Sequence, residues 1–175
     1  MSDYSENSTN SSNPNGSGAL IYSIHLITAE MNGTDGQVYN HIRFRNHLGQ
    51  DALAFHGIAV PREIDGSRAL RCVMTPIHGE GLPSAQFKIV HEACLFEGSA
   101  EDYLKKLANA GEAAHFINQQ NLTFNPEDDN GESPNSVAHT LIKAMGLDMP
   151  EMAEQFWAPG HARVILPNNW RPVHV

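Results

Sequence analysis

The stretch "GESPNSVAHTLIKAMGL", residues 131–147, predicts a capped amphipathic helix that decides how the second half of the chain folds. Ser133 is a favoured N-cap residue, and Pro134 is favoured at the first helical position. Gly146 is a suitable residue for the C-terminal end of the helix. The polar first turn is therefore either a helix cap alone or the place where a nucleophile sits. The apolar face of the helix carries Val137, Ala138, Leu141, Ile142 and Met145.

Five segments with the character of β-strands precede this helix. In "VYNHIRFR", residues 38–45, side chains of two kinds alternate, which is the period of a strand with two unlike faces. Turn sequences such as "NGTDG" and "NHLGQD" separate the first three segments, so these three are predicted to form a meander. The predicted strands are residues 19–29, 38–45, 52–60, 69–75 and 86–96.

The second half of the chain is predicted to be mainly helical. Residues 98–120 predict a helix that begins at Ser99, which stands at capping-box spacing from Asp102. "PEMAEQF" predicts a short helical turn, and "ARVILP", residues 162–167, predicts a final strand. The whole pattern predicts an α+β fold: an antiparallel sheet or meander with helices packed on one side.

Length and composition indicate one domain. The chain has 175 residues, of which 41% are hydrophobic, and this is enough to form a core without disulfides. Residues 1–18 are rich in Ser, Asn and Gly and are predicted to be a disordered tail. Residues 19–175 are predicted to form a single α+β domain. Cys72 and Cys94 are expected to be buried, reduced thiols.

Charge and motifs exclude several classes of function. The formal net charge is −9 and no basic cluster is present, which argues against a nucleic-acid partner. No apolar run approaches the roughly 20 residues that span a bilayer, and no signal peptide is evident. We therefore expect synthesis in the cytoplasm, with export by a secretion machine left open. No metal is expected, because HExxH and paired CxxC motifs are absent. No cofactor is expected either, and the absence of a Walker loop, GxGxxG and GxSxG argues against nucleotide binding and an α/β-hydrolase.

The order of certain residues suggests a family. His41 lies in "NHIRFR", His56 lies in "LAFHG" on the next strand, and the capped helix follows much later. This order resembles the circularly permuted branch of the NlpC/P60 (papain-like) superfamily, which includes lecithin:retinol acyltransferase-like proteins and bacterial permuted amidases. The resemblance covers residues 20–167. It implies a permuted papain-like arrangement, with a His on an early strand and a Cys at the start of a late helix.

The resemblance also implies a catalytic site at the helix N-terminus. The helix dipole favours an anionic nucleophile there, and backbone N–H groups can bind an oxyanion. His41 would be the base and His56 the residue that orients it. The position of the family's nucleophile is Pro134 in this chain, which supplies no nucleophile. The remaining candidates in the first turn are Ser136 and Ser133 as nucleophiles and Asn135 as an oxyanion donor.

Three functions remain open. The first is an amide or ester hydrolase or acyltransferase of bacterial or phage origin, including a secreted effector that acts on a cell-wall peptide, a protein or a lipid. A delivery or immunity protein would be its protein partner. The second is a catalytically inactive member of the same fold that binds a partner. The third is an unrelated α+β fold in which the histidines are incidental.

The other histidines are weaker candidates. His161 precedes the predicted final strand and is a minor site candidate. A less favoured alternative is a zinc site in which two histidines on adjacent strands and a carboxylate bind the metal. The histidines predicted to be structural or at the surface are His25, His47, His78, His91, His115 and His139.

Overall fold

The computed structural model describes residues 19–31, 37–77, 87–125, 131–151, 158, 160 and 162–172. In this part of the chain, five strands form one antiparallel sheet and two helices follow them, so the predicted α+β class with an antiparallel sheet is confirmed. The sheet order is β4-β3-β2-β1-β5. The elements are β1 (Tyr22–Met31), β2 (Val38–Arg45), β3 (Asp51–Pro61), β4 (Arg68–Pro76), β5 (Phe87–Gly98), α1 (Ala100–Gln119) and α2 (Pro134–Ala144).

The sheet has two unlike faces, which β2 shows most clearly. Its even-numbered residues are buried and its odd-numbered residues are half-buried, as the pleat of a strand dictates. Ile42 and Phe44 from the even set pack in one core with Ile117 of α1 and Val137 and Leu141 of α2. Both helices therefore cover the same side of the sheet, here called the helix face. The odd-numbered residues of β2 mark the opposite side, the outer face.

The order of the strands places the two late strands at opposite edges. β1, β2 and β3 form the predicted meander, and β4 continues it beside β3. The chain then returns, and β5 pairs with β1 through two register shifts. This pairing brings the outer-face side chains of β5 next to those of β1.

Two predictions from the sequence are wrong: a strand at residues 162–167 and the burial of Cys94. Residues 162–167 contain no strand; Ile165 instead donates its backbone N–H to Oγ1 of Thr140 at 3.0 Å, while Val164 and Ile165 pack against the core. An apolar run can thus be buried by packing alone, without a neighbouring strand. Cys94 is exposed, whereas Cys72 is buried as predicted, and both thiols are free. Residues 1–18, His161 and most of the predicted turn "PEMAEQF" lie outside the described residues.

Candidate functional site

The N-terminus of α2 is a closed helix cap. Oγ of Ser133 accepts the backbone N–H groups of Asn135 at 3.2 Å and of Ser136 at 3.4 Å. In return, Oγ of Ser136 accepts the N–H of Ser133 at 2.9 Å and donates to its carbonyl oxygen at 2.7 Å. Ser133, Asn135 and Ser136 are each at most 1% exposed. The predicted cap is confirmed, and both serine hydroxyls take part in it.

The side chain of Asn135 joins α2 to the sheet. Its Oδ1 accepts the backbone N–H of Asn40 at 2.8 Å, and its Nδ2 donates to the carbonyl oxygen of Val38 at 3.1 Å. The pairing of β2 with β3 begins only at His41 and His56, so this part of β2 has no partner residue on β3. The carboxamide therefore takes the place of a strand residue, and the sequence-predicted oxyanion donor is occupied by structural hydrogen bonds.

Pro134 lies against the backbone of β3. A Cβ atom added to Gly57 would lie 2.6 Å from Cα of Pro134, so only glycine permits this approach. On the other side of the cap, a Cβ atom at Gly160 would lie 2.5 Å from Oγ of Ser133. Pro134, the position where the family resemblance places a nucleophile, is thus buried and packed against β3.

The two histidines predicted for the site meet each other on the outer face. His41 and His56 are direct partners across β2 and β3, and Nε2 of His41 accepts a hydrogen bond from Nε of Arg43 at 3.2 Å. Burial, with Arg43 and His56, lowers the pKa of His41 to about 3, and burial lowers the pKa of His56. Both imidazoles are therefore neutral at physiological pH.

The structure does not bring these imidazoles to the helix cap. His41 projects with Arg43 from the outer face, whereas α2 packs on the helix face. Among the described residues, no hydrogen bond joins either imidazole to Ser133 or Ser136. The predicted base and the predicted nucleophiles are consequently two separate groups, one on each face of the sheet.

A different serine is bonded to a histidine on the outer face. Oγ of Ser23 lies 2.9 Å from Nε2 of His25, and Nδ1 of the same ring lies 2.9 Å from Oε1 of Glu92. A carboxylate only accepts, so it assigns the proton of a neutral ring to Nδ1 and leaves Nε2 to accept the serine hydroxyl. Nucleophile, base and orienting carboxylate are linked in this order in serine hydrolases.

The pleat and the strand register explain how these groups meet. Ser23 and His25 are two residues apart on β1, so their side chains share a face. Glu92 pairs with Ile27, which places its carboxylate diagonally from His25 and within reach of the ring. The His25 side chain is only 12% exposed and the Glu92 side chain is 36% exposed. The base is thus shielded while the edge of the cluster stays open to solvent.

Two arginines extend this cluster into a network. Arg45 donates from Nη1 to Oε1 of Glu92 at 2.6 Å and from Nε to Oδ1 of Asp51 at 2.7 Å. Arg43 donates from Nη1 to Oδ2 of Asp51 at 2.7 Å, and its Nε reaches His41. The sequence-predicted base, His41, therefore stands at the far end of the network that includes Ser23.

The electrostatics keep His25 neutral. Burial and the neighbouring Arg45 guanidinium lower the pKa of His25 below its usual 6.5, against the opposing effect of Glu92, Asp51 and Glu97. A neutral imidazole near pH 7 is the state that a general base requires. His25 can therefore accept a proton from Ser23 without first losing one.

A thiol also lies beside this cluster. Cys94 is the partner of His25 in the β1–β5 pairing, but its Sγ donates to the carbonyl oxygen of Phe96 at 3.5 Å. Burial raises the pKa of the Cys94 thiol, which favours the protonated form. The imidazole is thus coupled to the hydroxyl of Ser23 and not to this thiol.

The sequence analysis missed these residues, although one signal was present. In "YSIH", Ser and His two residues apart on a predicted strand must share a face. Glu92 gives no such signal, because its position depends on which strand β5 pairs with. Within the described part of the chain, no group of three or more His, Cys, Asp or Glu side chains is arranged to hold a metal.

Comparisons with known proteins do not assign the chain to a family, so its class of protein is described from the geometry alone. No protein-family model, curated protein or solved structure matches the chain. None of the described helices is both long and apolar enough to cross a membrane. Fold and site together define an α+β protein with a Ser–His–Glu hydrogen-bond chain on its sheet, and membership of the NlpC/P60 superfamily stays a prediction.

Proposed function

We propose that this chain is a serine hydrolase that cleaves an ester or an amide. Ser23 is the nucleophile, His25 the general base and Glu92 the residue that orients the imidazole. The observation that carries this proposal is the unbroken hydrogen-bond chain from Oγ through Nε2 and Nδ1 to Oε1, with both contacts at 2.9 Å. The proposed activity is the one predicted from the sequence, but the nucleophile lies on β1 and not at the α2 cap.

The reaction follows from these contacts. His25 Nε2 takes the hydroxyl proton while Oγ of Ser23 bonds to the carbonyl carbon, and the imidazolium is stabilised by Glu92. The proton then passes to the leaving alcohol or amine as its bond to the acyl carbon breaks. Water, deprotonated by the same imidazole, attacks the acyl-enzyme, releases the acid and returns the proton to Ser23.

The position of the site suggests how a substrate approaches. Ser23 is half-buried on a sheet face, so an acyl group presented by a larger molecule can reach it. A cell-wall peptide, a protein or a lipid ester would each suit this approach. An origin in bacteria or phage and delivery as an effector are part of the proposal, and the acidic composition of the chain is compatible with both.

Labelling with a fluorophosphonate probe tests the proposal. We expect mass spectrometry to find the adduct on Ser23, and the labelling rate to fall at least 100-fold in Ser23→Ala and His25→Gln, with a smaller loss in Glu92→Gln. Ser67→Ala is the matched control, because Oγ of Ser67 contacts a carboxylate of Asp65 at 2.6 Å but no imidazole. Unchanged labelling in folded Ser23→Ala would refute the assignment.

A binding protein is the second candidate, favoured by the closed cap of α2. Proline supplies no nucleophile at the family's catalytic position, and Pro134 is packed against β3. A folded wild-type protein that takes up no probe and hydrolyses no ester would support this candidate. Circular dichroism on the same samples shows whether the protein is folded.

A further inference from the structure

Arg45 bridges the two carboxylates of the outer-face cluster. Its side chain crosses β1, with Nε on Asp51 at 2.7 Å and Nη1 on Glu92 at 2.6 Å. The Glu92 oxygen that accepts from Arg45 is Oε1, the same atom that lies 2.9 Å from Nδ1 of His25. One carboxylate oxygen is therefore shared between the guanidinium and the imidazole.

The guanidinium also lies against the ring of His25. Nη1 of Arg45 is 3.5 Å from both Nδ1 and Nε2 of this ring. Because this guanidinium is also held by Asp51 and Glu92, its contact with the ring limits the rotation of the imidazole. Ser23, whose hydroxyl meets the same Nε2, is the direct partner of Arg45 in the β1–β2 pairing.

We propose that Arg45 is a positioning residue, which fixes the Glu92 carboxylate and the His25 ring relative to Ser23, and that Asp51 fixes Arg45. This inference rests on the proposed hydrolase function. Arg45 itself does not touch the reacting atoms; it acts through Glu92 and His25. Two charge-assisted contacts to separate strands give it an orientation that a single ion pair would not.

The same contacts set the pH range in which His25 works. Burial and Arg45 lower the pKa of His25, whereas Glu92, Asp51 and Glu97 raise it. Replacing Arg45 by a neutral residue removes the cation and leaves the Glu92 oxygen to the imidazole alone. The pKa of the imidazole is then higher. As the pH is lowered, His25 becomes protonated, and stops acting as a base, at a higher pH than in the wild type.

The pH dependence of the fluorophosphonate labelling rate tests this proposal. In Arg45→Gln we expect the acid limb to move up by about 1 pH unit, because a neighbouring charge shifts a pKa by about 1–3 units. Arg45→Lys keeps the charge but not the two-pronged contact. It should keep the acid limb near that of the wild type and lower the plateau rate several-fold. Arg163→Gln, which removes an exposed pair with Glu132, is the control.

A second measurement separates this proposal from the proposed function. An NMR titration of the His25 imidazole needs no activity, and its midpoint should rise in Arg45→Gln and stay near that of the wild type in Arg45→Lys. If Ser23→Ala abolishes labelling but Arg45→Gln changes neither the profile nor the titration, the positioning role is overturned and the hydrolase stands. If the wild type is not labelled, the hydrolase and the positioning role of Arg45 in its reaction both fail, whatever the titration shows.

Discussion

The α2 cap and the Ser23 cluster contain similar polar groups but arrange them differently. In the cap, the hydroxyls of Ser133 and Ser136 bond to backbone groups of each other and are fully buried. In the cluster, the hydroxyl of Ser23 is half-buried and bonds to an imidazole. A hydroxyl at a helix N-terminus therefore does not by itself indicate catalysis. The two regions differ in that only the cluster gives its serine hydroxyl a partner that can accept the proton.

A second asparagine supports the structural interpretation of the cap. Asn118 of α1 accepts the N–H of Cys72 and donates to its carbonyl oxygen, both at 2.8 Å, at the edge of β4. Asn135 likewise accepts one backbone N–H and donates to one carbonyl oxygen of β2, on Asn40 and Val38. Each helix thus uses one carboxamide to satisfy strand backbone groups, as buried polar groups require.

The largest expected effect tests whether the cap is structural. Asn135→Ala should lower the free energy of unfolding by about 2–6 kcal/mol, because two buried backbone groups of β2 lose their partner at about 1–3 kcal/mol each. Urea denaturation measures this. Asn118→Ala, at a half-buried site, should cost less. A loss below that of Asn118→Ala would mean that the cap does not hold the sheet.

A smaller effect tests the close approach of α2 to β3. Gly57→Ala should destabilise the fold by about 1–3 kcal/mol, because the new methyl group would overlap Pro134. Gly111→Ala, in open space on α1, should instead stabilise the protein by up to about 1 kcal/mol through helix propensity. Equal effects of the two changes in thermal unfolding would contradict the packed geometry around Pro134.

The effect that is smallest at neutral pH, and that grows as the pH falls, concerns the outer face and its neutral histidines. His41 has a pKa of about 3 in the folded state against 6.5 ordinarily, mainly through burial. Above pH 6.5 this shift does not lower the free energy of unfolding. As the pH falls from 6.5 towards 3, the shift lowers the free energy of unfolding by about 1.4 kcal/mol per pH unit. His25 and His56 shift in the same direction. His41→Gln should flatten the acid side of the unfolding profile, and an unchanged slope would show that His41 is charged in the fold.

Local patterns in the sequence predicted most elements, because their causes are local. The alternation in residues 38–45 gave the bounds of β2 correctly, and the caps at Ser99 and Ser133 gave the starts of both helices. The same kind of reasoning placed a strand at residues 162–167, where apolar residues are buried against the core without any strand partner. An apolar pattern indicates which residues are buried. It identifies a strand only where a neighbouring strand is available for pairing.

By itself the sequence determined the two faces of β2, the caps of the helices and the α+β class, since hydrophobic period and capping chemistry act within a few residues. Only the tertiary structure decided that β5 pairs with β1. That pairing brings Glu92 to His25, and the packing of α2 on the helix face separates the cap from His41. The physical reason is that strand order and register depend on contacts between residues far apart in the chain, so the partner of an imidazole cannot be found from its neighbours in sequence.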